Sequence, residues 1–204
     1  MTAPERTVKN PLTTTGDLGI RDASAVEPPV AVRVEAELSP LAGTGLTFVT
    51  GVPDSVFKGL IAALERHDLD VRYLRATRED NAIGLAVGAY LAGERPLVFM
   101  ESAGVGTALD ALTSLAMSYG IPLVVLIAWA GYKARDVTHH NAIGAPLGQI
   151  IAALGLPVMT IAERDLDAPV LPATLAEAQA RAHEYGGPSV ILVVPAELED
   201  GVGS

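Results

Sequence analysis

From residue 47 onward, short apolar runs alternate with longer stretches whose apolar positions recur every three or four residues. Thr47-Phe48-Val49-Thr50 is the first run, and Gly51-Val52-Pro53 ends it. Val56, Leu60, Ala63 and Leu64 then fall at helical spacing, with Pro53 and Asp54 as start signals. Val71 to Leu74 reads as a second strand. Glu79 to Gly93 is apolar nearly all round and predicts a buried helix. On it, Gly84 and Gly88 share one face and would permit close backbone approach. Pro96 to Met100 predicts a third strand, and Thr107 to Ser118 a helix with Leu109, Leu112, Leu115 and Ala116 inward. Pro122 to Ala128 shows no alternation, as expected of a strand covered on both faces. Ile143 to Leu154 reads as a helix, Pro157 to Ile161 as a strand, Ala173 to Tyr185 as a helix, and Ser189 to Val194 as the last strand.

This alternation predicts an α/β fold: an open, mostly parallel sheet of about six strands with helices on both faces. Residues 1–30 keep no sustained period and read as a disordered tail, leaving 31–204 as the domain. A short helix near Arg33 to Ala42 would lead into it.

Composition narrows the chemistry. Half of the 204 residues are apolar, and the formal net charge is -10. An acidic chain is a poor match for nucleic acid or an anionic membrane. There is no cysteine, so disulfides and thiolate ligands are excluded. No secretory apolar region follows Met1, and the most apolar run, Ile121 to Ala130, is too short to span a bilayer. The expected location is the cytoplasm.

In an open parallel sheet, ligands bind outside the carboxyl ends of the strands. The loops there carry nearly all the chemically unusual residues: Pro53, Asp54 and Ser55; Arg78, Glu79, Asp80 and Asn81; Glu101, Ser102, Gly104, Val105 and Gly106; and Asp136, His139 and His140. Glu79 opens an apolar helix. It is either a first-turn acid favoured by the helix dipole or a carboxyl group able to hold a ligand's ring nitrogen. Gly104-Val105-Gly106 fails the dinucleotide fingerprint, whose third glycine would fall at Leu109. The pair either makes a strand-to-helix turn or lets backbone approach a flat ring. His139 and His140 lie in a long polar stretch, as solvated side chains or as proton donors tunable near neutral pH.

Taken in order, these motifs carry a family resemblance. Gly51-Val52-Pro53-Asp54-Ser55, then Thr77-Arg78-Glu79 and Asn81-Ala82-Ile83-Gly84-Leu85-Ala86, resemble the pyrimidine-binding domain of thiamine-diphosphate 2-oxoacid decarboxylases. The likeness is to sulfopyruvate decarboxylase alpha subunits and phosphonopyruvate decarboxylases. It continues through Met100 to Gly106, Leu112-Thr113-Ser114-Leu115, and Tyr119 to Trp129. The resemblance implies that Glu79 hydrogen-bonds a pyrimidine nitrogen and activates the cofactor. It implies that Pro53, Gly104, Val105 and Gly106 lie against the cofactor and that Asp54, Ser55 and Ser102 lie against a small 2-oxoacid. His139 and His140 resemble the paired histidines that move protons in many such decarboxylases.

Two features depart from the family pattern. It carries glutamine and asparagine where this chain has Glu101 and Ser102, and a serine at Ala103, so a carboxylate stands where a sulfonate or phosphonate would come. The family's diphosphate site uses Gly-Asp-Gly, whereas Gly16-Asp17 continues here as Leu18. The resemblance therefore implies a beta subunit holding Mg2+ and the diphosphate, in a hetero-oligomer. Three other readings stay open: a carboligase subunit of the same family, a non-catalytic scaffold subunit, and an α/β-hydrolase. The last would place Ser102, Asp136 and His139 in hydrolase order, but Met100 stands at the elbow's first glycine.

Overall fold

The structure is a computed structural model and describes residues 41, 43–66, 69–134, 136–166 and 170–195. The expected tail over 1–30 and nearly all of the expected helix at 33–42 fall outside these residues. Six strands form one sheet: β1 (Phe48–Gly51), β2 (Arg72–Arg75), β3 (Pro96–Glu101), β4 (Val124–Ala128), β5 (Val158–Ala162) and β6 (Ser189–Val194). Their order is β2-β1-β3-β4-β6-β5, and every pairing is parallel. The helices are α1 (Lys58–Glu65), α2 (Glu79–Leu91), α3 (Ser102–Asp110), α4 (Thr138–Ala153) and α5 (Val170–Tyr185).

Helices cover both faces, which explains the lack of alternation in the central strands. On one face, Ile83 and Ala86 of α2, Val105 of α3, and Leu147 and Ile151 of α4 share a core with Val98, Met100, Val125 and Ile127. On the other, Leu60 and Leu64 of α1 and Leu171 and Leu175 of α5 pack with Val49, Leu97, Phe99 and Leu126. Successive strand residues therefore enter opposite cores, and a one-residue slip would exchange the two sets.

The chain runs from β1 outward to β2, then returns to place β3 on β1's other side. Such a reversal opens a crevice at the carboxyl ends of the two diverging strands. Gly51 closes β1 there. A Cβ at this position would lie 2.2 Å from the Phe99 carbonyl oxygen, so only glycine lets β1 lie this tightly on β3.

Two helices begin earlier than the periodicity predicts. α3 starts at Ser102 and not Thr107, so Gly104-Val105-Gly106 is helical and not a turn. The cause is Glu101, whose carboxylate accepts the Ala103 N–H at 3.2 Å and caps the helix directly after β3. α4 starts at Thr138 and not Ile143, which takes both histidines out of the expected loop and into its first turn. Past α3 the coil widens into a π-helical segment, Ala111–Met117, closed by Ser118 N–H to the Thr113 carbonyl. Gly84 and Gly88 meet no atom within 4 Å of an added Cβ, so no close backbone approach among the described residues uses them.

Candidate functional site

The carboxyl ends of five strands surround a cavity of about 260 Å³. Asp54, Ser55 and Val56 enter from the segment after β1, Glu101 from the end of β3, and Ala128, Trp129 and Ala130 from β4 and its exit. Glu163 follows β5, Val193 and Pro195 come from β6, and Asp136 and His140 come from the start of α4. The sheet topology alone brings together residues as far apart in sequence as 54 and 193.

Four of the wall groups, Asp54, Glu101, Trp129 and Asp136, are held by local bonds. Asp54 caps the short 3-10 turn Ser55–Phe57, accepting the Val56 N–H at 2.9 Å. Glu101 Oε1 accepts both the Ala103 N–H and the Ser102 hydroxyl, the latter at 3.1 Å. Trp129 donates its indole N–H to the Gly144 carbonyl at 2.7 Å and tilts edge-on to Tyr132, with ring centroids 4.8 Å apart. Asp136 accepts the Val137 N–H at 2.6 Å and the Gly131 N–H at 3.0 Å. Those two backbone donors, with the nearby His140 ring, hold its carboxyl below the usual aspartate range.

Glu79 stands outside this cavity, at the first position of α2, where it is half-buried. Its side chain lies on the backbone of Gly104 in α3. A Cβ at 104 would meet Glu79 Cγ at 2.3 Å, Cδ at 2.6 Å and Oε1 at 2.7 Å. The glycine is thus required by the carboxyl group, not by a turn. Among the described residues no group donates a hydrogen bond to that carboxyl. Its neighbours in sequence, Arg78 and Asp80, pair with each other at 3.1 Å.

The other expected site residues divide into two sets. Asp54, Ser55 and His140 line the cavity. Ser102 does not line it: the side chain is fully buried, and its one hydroxyl proton is shared between Glu101 at 3.1 Å and the Ala130 carbonyl at 3.0 Å. Val105 belongs to the core, Gly106 and Pro53 are exposed, and His139 is exposed with its ring edge-on to His140 at 4.3 Å. The hydrolase arrangement is not assembled, because the Ser102 hydroxyl bonds neither histidine and Asp136 sits beside His140 instead of His139. Glu163 and Trp129 were not anticipated. Glu163 directly follows a strand's carboxyl end, so the same topological rule could have found it.

The comparisons with known proteins decide the family. Residues 37–150 match the model of the thiamine pyrophosphate enzyme N-terminal TPP binding domain, more than half of the chain. The chain belongs to the thiamine pyrophosphate enzymes. Within that family it is 32% identical over 115 residues to the sulfopyruvate decarboxylase subunit alpha of Methanococcus maripaludis, covering 56% of this chain and 66% of the relative. It is 30% identical over 152 residues to the sulfopyruvate decarboxylase of Methanosarcina acetivorans, covering 74% of this chain and 37% of that protein. It is 35% identical over 112 residues to the phosphonopyruvate decarboxylase of Streptomyces viridochromogenes, covering 54% of this chain and 28% of that protein. The chain thus spans only part of the length of these relatives. Among solved structures, the 2-oxoglutarate:ferredoxin oxidoreductase of Magnetococcus marinus shares the fold, with a TM-score of 0.59 at 16% identity over 78% of this chain and 28% of that one. Among the described residues, no helix is long and apolar enough to cross a membrane.

Proposed function

We propose that this thiamine pyrophosphate enzyme chain is the alpha, pyrimidine-binding subunit of a split 2-oxoacid decarboxylase. The observation that carries the proposal is Glu79: a half-buried carboxyl seated where a Cβ at Gly104 would displace it, with no hydrogen-bond donor among the described residues. A carboxyl placed this way fits a flat, nitrogen-bearing ring, because the missing Cβ at 104 leaves a cradle beside Oε1. Thiamine diphosphate, when bound, supplies a thiazolium carbon that adds to a 2-oxo group and takes up the electrons released as carbon dioxide leaves. Glu79 would hold the pyrimidine end and share a proton with its ring nitrogen. Half-burial lowers the local dielectric around Glu79, which strengthens that proton sharing.

The cavity walled by Asp54, Glu101 and His140 would take the 2-oxoacid. His140 would take up a proton on its cavity-facing nitrogen and return it at the reacting carbon. Asp54 and Ser55 would border the substrate's polar end. A beta subunit would hold the diphosphate and Mg2+; that a partner subunit exists is supported by the relatives that are alpha subunits of sulfopyruvate decarboxylase. The same carboxyl and cavity would serve a carboligation equally well.

The test is Glu79→Gln in the assembled enzyme, followed by exchange of the thiazolium proton with solvent. An amide cannot share the proton in the same way, and the rate should fall by about 10²–10⁴-fold. Exchange at the wild-type rate would remove Glu79 from the mechanism.

A further inference from the structure

We propose that Asp136 is a positioning residue that decides which nitrogen of His140 carries the proton, and so which nitrogen serves the cavity. The proposal rests on the reading of that cavity as the substrate site. Asp136 lies between the turn at Tyr132–Ala134 and the first turn of α4. Its own backbone is clamped to α4 on both sides: its N–H donates to Asn141 Oδ1 at 3.1 Å, and its carbonyl accepts from Asn141 Nδ2 at 2.7 Å. Its two carboxylate oxygens are occupied separately, Oδ1 by the Val137 N–H and Oδ2 by the Gly131 N–H. The carboxylate therefore cannot turn away without losing both bonds.

Asp136 Oδ2 lies 3.0 Å from His140 Nδ1. That nitrogen is buried, and the pair sits off the line of a well-aligned hydrogen bond. No other described group offers it a partner. A neutral imidazole bears its one proton on the nitrogen that faces an acceptor. A fixed carboxylate beside Nδ1 places the proton there and leaves Nε2 with its lone pair for the cavity. The remaining charged or titratable groups of that wall are Asp54, Glu101 and Glu163. His139 touches the ring edge-on, and the neighbouring turn brings Tyr132 and Lys133.

The backbone that carries the ring is packed tightly against the exit of β4. A Cβ at Gly131 would lie 2.3 Å from the His140 carbonyl oxygen, and one at Gly144 would lie 2.0 Å from the Ala130 carbonyl oxygen. Two glycines thus seat the exit of β4 on the first turns of α4, with Asp136 between them.

The experiment reads the ring directly. The full chain is labelled with 15N, and the tautomer of His140 is taken from two-bond 1H–15N correlations at a pH where the ring is neutral. His140→Ala assigns the signal. The wild type should show the Nδ1–H tautomer, and Asp136→Asn should move the population toward Nε2–H. Asn141→Ala, which loosens the backbone clamp and keeps the carboxylate, should retain the wild-type tautomer. In the assembled enzyme Asp136→Asn should lower kcat by ~10-fold or more, with the thiazolium proton exchange rate unchanged. A wild-type ring in the Nε2–H form overturns the proposal even if Asp136→Asn fails to fold, and so does an unchanged tautomer in Asp136→Asn. An assembled wild type that turns over no 2-oxoacid overturns the functional reading alone and leaves the tautomer result standing.

Discussion

Gly104→Ala is the sharpest test of how Glu79 is held. The added methyl would sit 2.3 Å from Glu79 Cγ and 2.6 Å from Cδ, where ordinary contact begins at 3.4 Å. Removing the clash requires the Glu79 side chain to retreat by about 1 Å, since Gly104 is buried in a helix packed on β3 and cannot move as easily. Overpacking of this kind costs about 1–3 kcal/mol when the surroundings cannot relax, and less here because the side chain that must move is only half-buried. Stability should therefore fall modestly. Function should fall further, because misplacing a reacting group by about 1 Å can cost ~10²-fold. Two measurements separate the effects: thermal unfolding of the variant chain, and thiazolium proton exchange in the assembled enzyme. The expected pattern is a small shift in Tm with a loss of exchange approaching that of Glu79→Gln. Exchange at the wild-type rate in a folded Gly104→Ala enzyme would show that the carboxyl does not act from its seat on Gly104.

Two further outcomes are expected. His140→Ala should slow turnover of the assembled enzyme by about 10²-fold or more while thiazolium exchange stays near normal, and His139→Ala should do much less, because only His140 lines the cavity; steady-state kinetics of both variants decide between them. Asp136 should also stabilise the fold in a pH-dependent way. Its carboxyl titrates below the usual value in the folded chain, so its contribution is complete above the ordinary aspartate value of about 3.9 and is lost as pH falls through the lower folded value. The Tm gap between wild type and Asp136→Asn, followed from pH 7 to pH 3, should close toward the acid end.

Most of the fold is legible in the chain because the strands other than β2 are short apolar runs with glycine or proline at or near one end. Ser189–Val194 matches its predicted bounds, and β1 and β2 are displaced by one residue from theirs. The two helix starts at Ser102 and Thr138 were harder to read. The first is set by the Glu101 carboxylate capping the Ala103 N–H, while the second begins after Val137 with no side-chain cap, and neither leaves a periodic signature. The site was legible as a set of loops but not as contacts. Asp54, Ser55 and His140 fall where the sheet rule puts them. The role of Gly104 as a floor for Glu79 depends on how closely α2 and α3 approach, which no local pattern encodes. Ser102 misleads for the same reason: its neighbours in sequence suggest a ligand group, while its hydroxyl is spent inside the fold.

The strand order has a consequence for how the protein comes into being. β5 pairs with β6 alone, and β6 is inserted between β4 and β5. During synthesis β5 therefore emerges with no neighbour to receive it, and the wall that carries Glu163 waits for β6. Parallel pairings between distant segments close slowly, since chain entropy must be overcome before any contact rewards it. The Glu79–Gly104 seat involves only α2 and α3 and can form much earlier. A nascent chain is thus expected to acquire its carboxyl seat first and to complete its cavity wall only when β6 pairs β5 into the sheet.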